Sequence, residues 1–331
     1  MRLLKRIALG VLLVIVAGLA ILSYNPLRTL TSLRKVDDYP LYVMNYYGGY
    51  LLDWYLKQGI ESPIFKRLEE MNRPAGCTTF TAVTPEGDVI LGRNFDWRPH
   101  PALLLFTDPP GGYTSVTMVD IHYLGYSREG GSWTQRLYLL FAPYVTVDGM
   151  NEHGLAVSMM EVPCRTGPRD PQKTTIVSNH VMRLALDHAK DVDEAIALMQ
   201  DYNVYFPQAC THYLFADASG DSAVVEYVNG EMVVIRNHEA FQVATNFLIA
   251  EEKPKGADSS CWRYNSAYEA LNTANGKLSW EEAMSIASKA SVDTTLWSVV
   301  YNLTRGDIQV VVGRNYDRVH TFQLEMEGSS W

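Results

Sequence analysis

From Cys77 onward the chain is written in short alternating segments separated by turn residues, and a chain patterned in this way buries its apolar positions as pleated strands. Thr78 to Thr84 and Val89 to Arg93, joined by Pro85-Glu86-Gly87-Asp88, predict a hairpin. His212 to Ala216, Ala223 to Val228, Met232 to Arg236 and Gln242 to Thr245 predict a meander that turns at Asn229-Gly230. Leu296 to Asn302 and Ile308 to Val312 predict a last pair around Thr304-Arg305-Gly306-Asp307, where Arg-Gly-Asp reads as a hairpin turn in preference to an adhesion motif. Helical spacing intervenes at Ile176 to Ala189, Asp193 to Gln200 and Trp262 to Asn272, and Ser279 with Glu282 three residues on forms a capping box that opens another helix. Strands, then helices, then strands, without regular βα alternation, predict an α+β fold of mainly antiparallel sheets with helices packed outside.

Composition narrows what such a fold could serve. Of 331 residues 47% are hydrophobic and 20% charged, the proportions of a folded chain with a sizeable core, which excludes disordered and fibrous classes. A formal charge of −9 leaves no basic surplus for a phosphate backbone, so nucleic acid is not an expected partner. No glycine-rich phosphate loop follows a strand, and no CxxC or HExxH spacing offers a metal site, so no cofactor and no metal are expected. The eight histidines are scattered and read as surface or satisfied core. Four cysteines are too few for a disulfide scaffold; Cys164, Cys210 and Cys261 could supply one disulfide with a thiol over, or none. Asn302-Leu303-Thr304 is a glycosylation sequon.

Ahead of this domain, Arg2, Lys5 and Arg6 precede an uncharged apolar run from Ile7 to Tyr24, long enough to approach the ~30 Å hydrocarbon layer of a bilayer. Residues 1–24 therefore read as a signal peptide or a membrane anchor. The run closes Ala20-Ile21-Leu22-Ser23-Tyr24-Asn25-Pro26 without a small-x-small cleavage site, which favours an uncleaved anchor and an extracytoplasmic remainder. Residues 25–76 carry Tyr42, Tyr46, Tyr47, Tyr50 and Trp54 and end in Lys66-Arg67-Leu68-Glu69-Glu70; this segment is expected to be helical and docked on the core formed by 77–331.

The chemistry concentrates at Gly76-Cys77-Thr78-Thr79-Phe80 and Gly92-Arg93-Asn94-Phe95-Asp96. A Cys opening a strand is usually a small buried hydrophobe. A hairpin of this length, however, returns Arg93 and Asp96 towards the start of the first strand, setting a cation and a carboxylate beside the sulfur, and a nearby cation favours the nucleophilic thiolate.

These residues resemble the choloylglycine hydrolase family of N-terminal-nucleophile enzymes, the linear amide C–N hydrolases, with wider relatives among penicillin V acylases, acid ceramidase-like amidases and isopenicillin N acyltransferases. There, a Cys that becomes the first residue of the mature chain is followed by an Arg sixteen and an Asp nineteen positions later, and Arg93 and Asp96 stand at those offsets from Cys77. Asp148-Gly149-Met150-Asn151-Glu152-His153-Gly154-Leu155 is similar to a family segment whose Asn helps form the oxyanion hole, here Asn151. Val243-Ala244-Thr245-Asn246 is similar to the segment bearing the other oxyanion donor, here Asn246, and Arg263 takes roughly the place of a later active-site Arg. Gly313-Arg314-Asn315-Tyr316-Asp317 echoes the first motif and is read as a structural terminal strand. The resemblance implies an Ntn-hydrolase αββα sandwich, two packed mainly antiparallel sheets flanked by helices. It implies autocleavage between Gly76 and Cys77, a new α-amine acting as base for the thiol, and a small-molecule N-acyl amide cleaved at its C–N bond through an acyl-enzyme, with the stretch Arg98 to Tyr113 as a pocket-wall loop. The 76 residues before Cys77 match the acid ceramidase and acyltransferase arrangement, where the released segment stays bound. An acyltransferase would carry the same residues, and a non-catalytic membrane-tethered binding protein would keep Cys77 as core; the sequence leaves both open.

Overall fold

The computed structural model describes residues 23–59, 76–127, 130–164, 169–206, 209–237 and 239–328. Its strands, in chain order, are β1 (Arg34–Asp37), β2 (Leu41–Tyr47), β3 (Gly76–Val83), β4 (Val89–Asp96), β5 (Ala102–Asp108), β6 (Ser115–Asp120), β7 (Thr146–Asn151), β8 (Ala156–Val162), β9 (Thr174–Val177), β10 (Tyr202–Tyr205), β11 (Cys210–Ala216), β12 (Ser222–Val228), β13 (Glu231–Arg236), β14 (Val243–Ala244), β15 (Thr295–Asn302), β16 (Asp307–Val312) and β17 (His320–Gln323). They form a nine-stranded sheet, ordered β1-β2-β5-β6-β7-β8-β11-β12-β13, a six-stranded sheet, ordered β14-β3-β4-β15-β16-β17, and the short parallel pair β9-β10.

The alternation along each strand divides its side chains between two cores. Leu91 and Phe95 of β4 and Trp297 and Val299 of β15 point inward, where they meet Val116, Met118 and Met150 of the nine-stranded sheet in one cluster; Phe95 stacks on Trp297 at 4.3 Å. Phe80, Ile90, Val300 and Val311 point the other way, into a second cluster completed by Ala267 and Leu271 of the helix Trp262–Thr273 and Ala283 and Ile286 of the helix Trp280–Lys289. The helix Ser178–His188 packs on the opposite outer face, where Arg183 donates to Ser115 of β6. Helices, sheet, sheet and helices make an αββα sandwich. The capping box at Ser279 and Glu282 is formed in both directions. Gly92 is required by the outer packing: a Cβ there would stand 2.3 Å from the Phe80 ring.

Four expectations are corrected. Residues 25–59 are not simply helical. Residues 23–32 are, but β1 and β2 follow before the helix Leu52–Gln58, because Leu41-Tyr42-Val43-Met44-Asn45-Tyr46-Tyr47 is rich in residues that fit a pleated surface and lies parallel to β5 from Leu41↔Ala102 to Tyr47↔Asp108. For the same reason the stretch Arg98 to Tyr113 is no loop: its centre, Ala102–Asp108, is an interior strand of the large sheet. Helix formation begins at Ser178, two residues later than Ile176, since Thr174-Thr175-Ile176-Val177 is a β-branched run paired with β10. Gly313-Arg314-Asn315-Tyr316-Asp317 is a turn, with Gly313 and Arg314 at φ +60° and +61°.

Two further sites change meaning. The sequon Asn302 is fully buried, donates to Asp88 and accepts from the backbone of Thr304 and Arg305, so the folded chain withholds it from glycosylation. Cys164 and Cys210 form a disulfide, leaving Cys77 and Cys261 free. Apart from Ser23 and Tyr24, the expected anchor Ile7 to Tyr24 lies outside the described residues, as does Lys66-Arg67-Leu68-Glu69-Glu70. Among the described residues no helix is long and apolar enough to cross a membrane.

Candidate active site

Cys77 is the second residue of β3 and is buried between the sheets. The β3–β4 register sets Cys77 opposite Phe95 and Gly76 opposite Asp96, so the hairpin returns the Arg93-to-Asp96 segment alongside the sulfur. Arg93 Nη2 lies 3.3 Å from Cys77 Sγ, and its Nη1 reaches Thr79 Oγ1 at 3.4 Å. The same guanidinium is anchored from the facing sheet: Nε pairs with Asp148 Oδ2 at 2.7 Å, both side chains inaccessible to water. Tyr301 and Trp297 donate to that carboxylate at 2.6 and 3.3 Å.

A second group gathers around the backbone of Cys77. Its N–H donates to Asn246 Oδ1 at 2.8 Å, and the same oxygen accepts from Arg263 Nη2 at 2.7 Å. Arg263, in the first turn of its helix, also donates through Nη1 to the Cys77 carbonyl at 2.6 Å and to Asp96 Oδ2 at 2.9 Å. Thr295 holds the other Asp96 oxygen at 2.6 Å. Asn246 Nδ2 donates to the Glu161 carbonyl on β8, at 2.8 Å, so one amide spans both sheets. Gly76 leaves no spare room: a Cβ there would stand 3.0 Å from Asp96 Cβ and 3.3 Å from Asp96 Oδ2.

Electrostatics qualify the expected role of Arg93. It does pull the thiol down, as does Arg263, but burial outweighs both and pushes Cys77 up to about 11, with Asp96 and Asp148 adding to the rise. Burial likewise raises Asp96, against Thr295, Arg263 and Arg93, and raises Asp148, against Arg93 and its hydrogen-bond donors. The sulfur is therefore a thiol at neutral pH, and its proton must pass to an acceptor as it attacks.

Of the residues expected at the site, Cys77, Arg93, Asp96, Asn246 and Arg263 come together, with Gly76 beside them. Asn151 does not. Asp148 faces inward to Arg93, and three positions along a strand reverse the side, so Asn151 faces the outer helix. There its Nδ2 donates to the carbonyls of Leu186 and Ala189, while its Oδ1 accepts from the N–H groups of His153 and Leu155. An oxyanion role for Asn151 is thereby corrected to a structural one, tying the strand end to the end of a helix. Asp148, Thr295 and the Glu161 carbonyl were not expected. Asp148 had a signal, an acid at an inward position of an apolar strand; the other two had none, since a Thr in a strand is ordinary and a carbonyl has no letter.

The described residues contain no group of three or more His, Cys, Asp or Glu arranged to hold a metal ion. The site is thus a buried thiol, two guanidinium groups, two carboxylates and a bridging amide. That set can polarise a carbonyl, move a proton and carry an acyl group on sulfur.

Known proteins share parts of this chain's sequence and its fold. Penicillin V acylase from Pectobacterium atrosepticum is 33% identical over 200 residues, a match spanning 51% of this chain and 49% of that relative. The fold is shared with penicillin V acylase from Agrobacterium tumefaciens, with a TM-score of 0.54 at 18% identity over 77% of this chain and 89% of the other. It is shared also with a variant of conjugated bile acid hydrolase from Clostridium perfringens, with a TM-score of 0.56 at 14% identity over 75% and 92%. The sequence model of the acyl-coenzyme A:6-aminopenicillanic acid acyl-transferase family matches residues 137–317, more than half of the chain. The chain therefore belongs to that family, and with it to the wider choloylglycine hydrolase relatives that its motifs resemble.

Proposed function

We propose that this protein is an autoprocessed cysteine N-terminal-nucleophile hydrolase that cleaves the C–N bond of a linear N-acyl amide. One observation carries the reading: the nitrogen of Cys77 is held by Asn246 while its sulfur lies on Arg93, so that a terminus created at this residue would already be seated as both base and nucleophile. In maturation Sγ attacks the Gly76 carbonyl carbon, the Gly76–Cys77 C–N bond breaks as the thiol proton passes to nitrogen, and water opens the resulting thioester to a Gly76 carboxylate. Gly76 suits the step, since any larger residue presses on Asp96.

In turnover the α-amine, with an ordinary pKa of about 7.7–8.0, accepts the thiol proton. Sulfur adds to the substrate carbonyl, the amine leaves with that proton, and water releases the acid from the thioester. Arg263 and Asp96 fix the terminus, Arg93 with Asp148 fixes the sulfur, and Asn246 stands at the oxyanion. The relatives' names point to penicillin V and conjugated bile acids as first probes beside simple N-acyl amides. The family's description as an acyl-transferase favours a second reading in which an amine replaces water as acceptor, and product analysis with and without added amine separates the two. The Cys164–Cys210 disulfide and the apolar run Ile7 to Tyr24 support an extracytoplasmic location with membrane attachment through the N-terminus. The direct test is intact mass of the purified protein together with hydrolysis of the probe panel. A fragment beginning at Cys77 and thiol-dependent hydrolysis are expected, both lost in Cys77→Ala; a chain that stays uncut yet hydrolyses amides would overturn the mechanism.

A further inference from the structure

The turn that carries Asn246 is gripped from below by a buried pair that the mechanism does not use. His212 on β11 and Glu226 on β12 are both fully buried and face each other, Nδ1 to Oε1 at 2.8 Å. The other ring nitrogen of His212, Nε2, lies 2.7 Å from the Thr245 carbonyl, and because a carbonyl only accepts, Nε2 carries the proton. Glu226 accepts the backbone N–H of Ile249 at Oε1 (2.8 Å) and of Ala250 at Oε2 (3.0 Å). One side-chain pair thus fixes the turn on both flanks of Asn246: the carbonyl immediately before it and two amides three and four residues after it. Between these anchors Leu248 is wedged against Val162 and the disulfide residue Cys210.

We infer that His212 and Glu226 are positioning residues for the nucleophile, acting through Asn246, whose amide must hold the Cys77 nitrogen, Arg263 and the Glu161 carbonyl at once. This rests on the amidase reading above. Two buried polar groups on adjacent strands are costly unless their geometry does something that apolar residues could not, and here, beyond the contact between the pair itself, the hydrogen bonds leave the strands and end on the turn at Thr245 and on the first two residues of the short helix Ile249–Glu252. A displacement of that loop by about 1 Å would move Asn246 off the Cys77 nitrogen, an error worth up to about a hundredfold in rate.

The test uses the full chain and exploits reach. In His212→Gln the side-chain amide can still donate where Nε2 does, to Thr245; in His212→Asn the shorter amide sits where Nδ1 does, meets Glu226 and abandons Thr245. Both lose the imidazole and a similar amount of stability. We expect His212→Asn and Glu226→Gln to slow Gly76–Cys77 cleavage and lower kcat by about tenfold to a hundredfold with KM within a few-fold of wild type, while His212→Gln keeps most of both rates. A role confined to stability predicts instead that the two His212 variants fall together, in step with Tm, and that result overturns the inference, as does wild-type cleavage and turnover in Glu226→Gln. An uncut, inactive wild type overturns the amidase reading and this inference with it; an active wild type with indifferent variants overturns this inference alone.

Discussion

Two demands on Cys77 pull apart. A nucleophile benefits from charge on sulfur, and a place between two sheets opposes charge, so that burial overrides two guanidinium groups and leaves the thiol near 11. Under the proposed mechanism the conflict is met by passing the thiol proton on as the sulfur attacks, to the departing Cys77 nitrogen in the cleavage step and to the free α-amine in turnover. At this scale the two asparagines separate. Asn246→Ala removes the residue that touches Cys77 and should lower kcat by about two to three orders of magnitude with KM little changed. Asn151→Ala removes four hydrogen bonds at a strand end, and the expected loss is a lower Tm, with kcat of the folded protein within a few-fold of wild type; a large fall in kcat at unchanged Tm would return Asn151 to the site. Arg93 and Asp96 were legible because a hairpin's register can be counted from its turn. Asn151 was named from the resemblance and Asp148 was passed over, because the two share one short motif and only the parity of the strand, invisible without a partner sheet, tells which faces the sulfur.

Among the elements, those with self-contained signals were readable: the hairpin β3–β4, the capped helix Trp280–Lys289, the meander β11–β13. β2 and β5 were not, since a parallel pair is made by residues far apart in sequence and the aromatic spacing of β2 suits either a helix stripe or a strand. The disulfide was equally illegible, its partners 46 residues apart among three candidates. It ties the end of β8 to the start of β11, the same two strands that support Asn246 through Glu161 and His212. Replacing Cys164 and Cys210 by Ser should cost about 2–4 kcal/mol in urea unfolding, and wild type treated with a reductant should shift by the same amount. Coincident unfolding curves for the double variant and the oxidised wild type would show that the bond does not hold these strands.

The whole molecule carries an acid weakness at a distance from the thiol. His180 is buried against Tyr144, its Nε2 lacks a hydrogen-bond partner, and burial lowers it to about 4. The unfolded chain takes up this proton near pH 6.5 and the folded chain only near 4, so stability falls as pH drops through that interval, by roughly 3 kcal/mol at its lower end. His180→Phe should remove this part of the acid sensitivity, so that the stability difference between variant and wild type changes across pH 6.5 to 4; parallel pH profiles would place the weakness elsewhere.

The large sheet takes the last two strands of one edge, β1 and β2, from the chain ahead of the proposed cut, and β2 sits parallel to β5 with Tyr50 just beyond it donating to Asp187. A gene trimmed to begin at Cys77 would encode the right terminus and an incomplete sheet, with the backbone edge of β5 bare and ready to pair with its neighbours. Under the proposed cleavage the terminus at Cys77 is released only after the segment ahead of it has been woven into the sheet, so a gene trimmed in this way should yield aggregating protein, and a synthetic peptide spanning residues 23–59 should be the natural reagent for rescuing it.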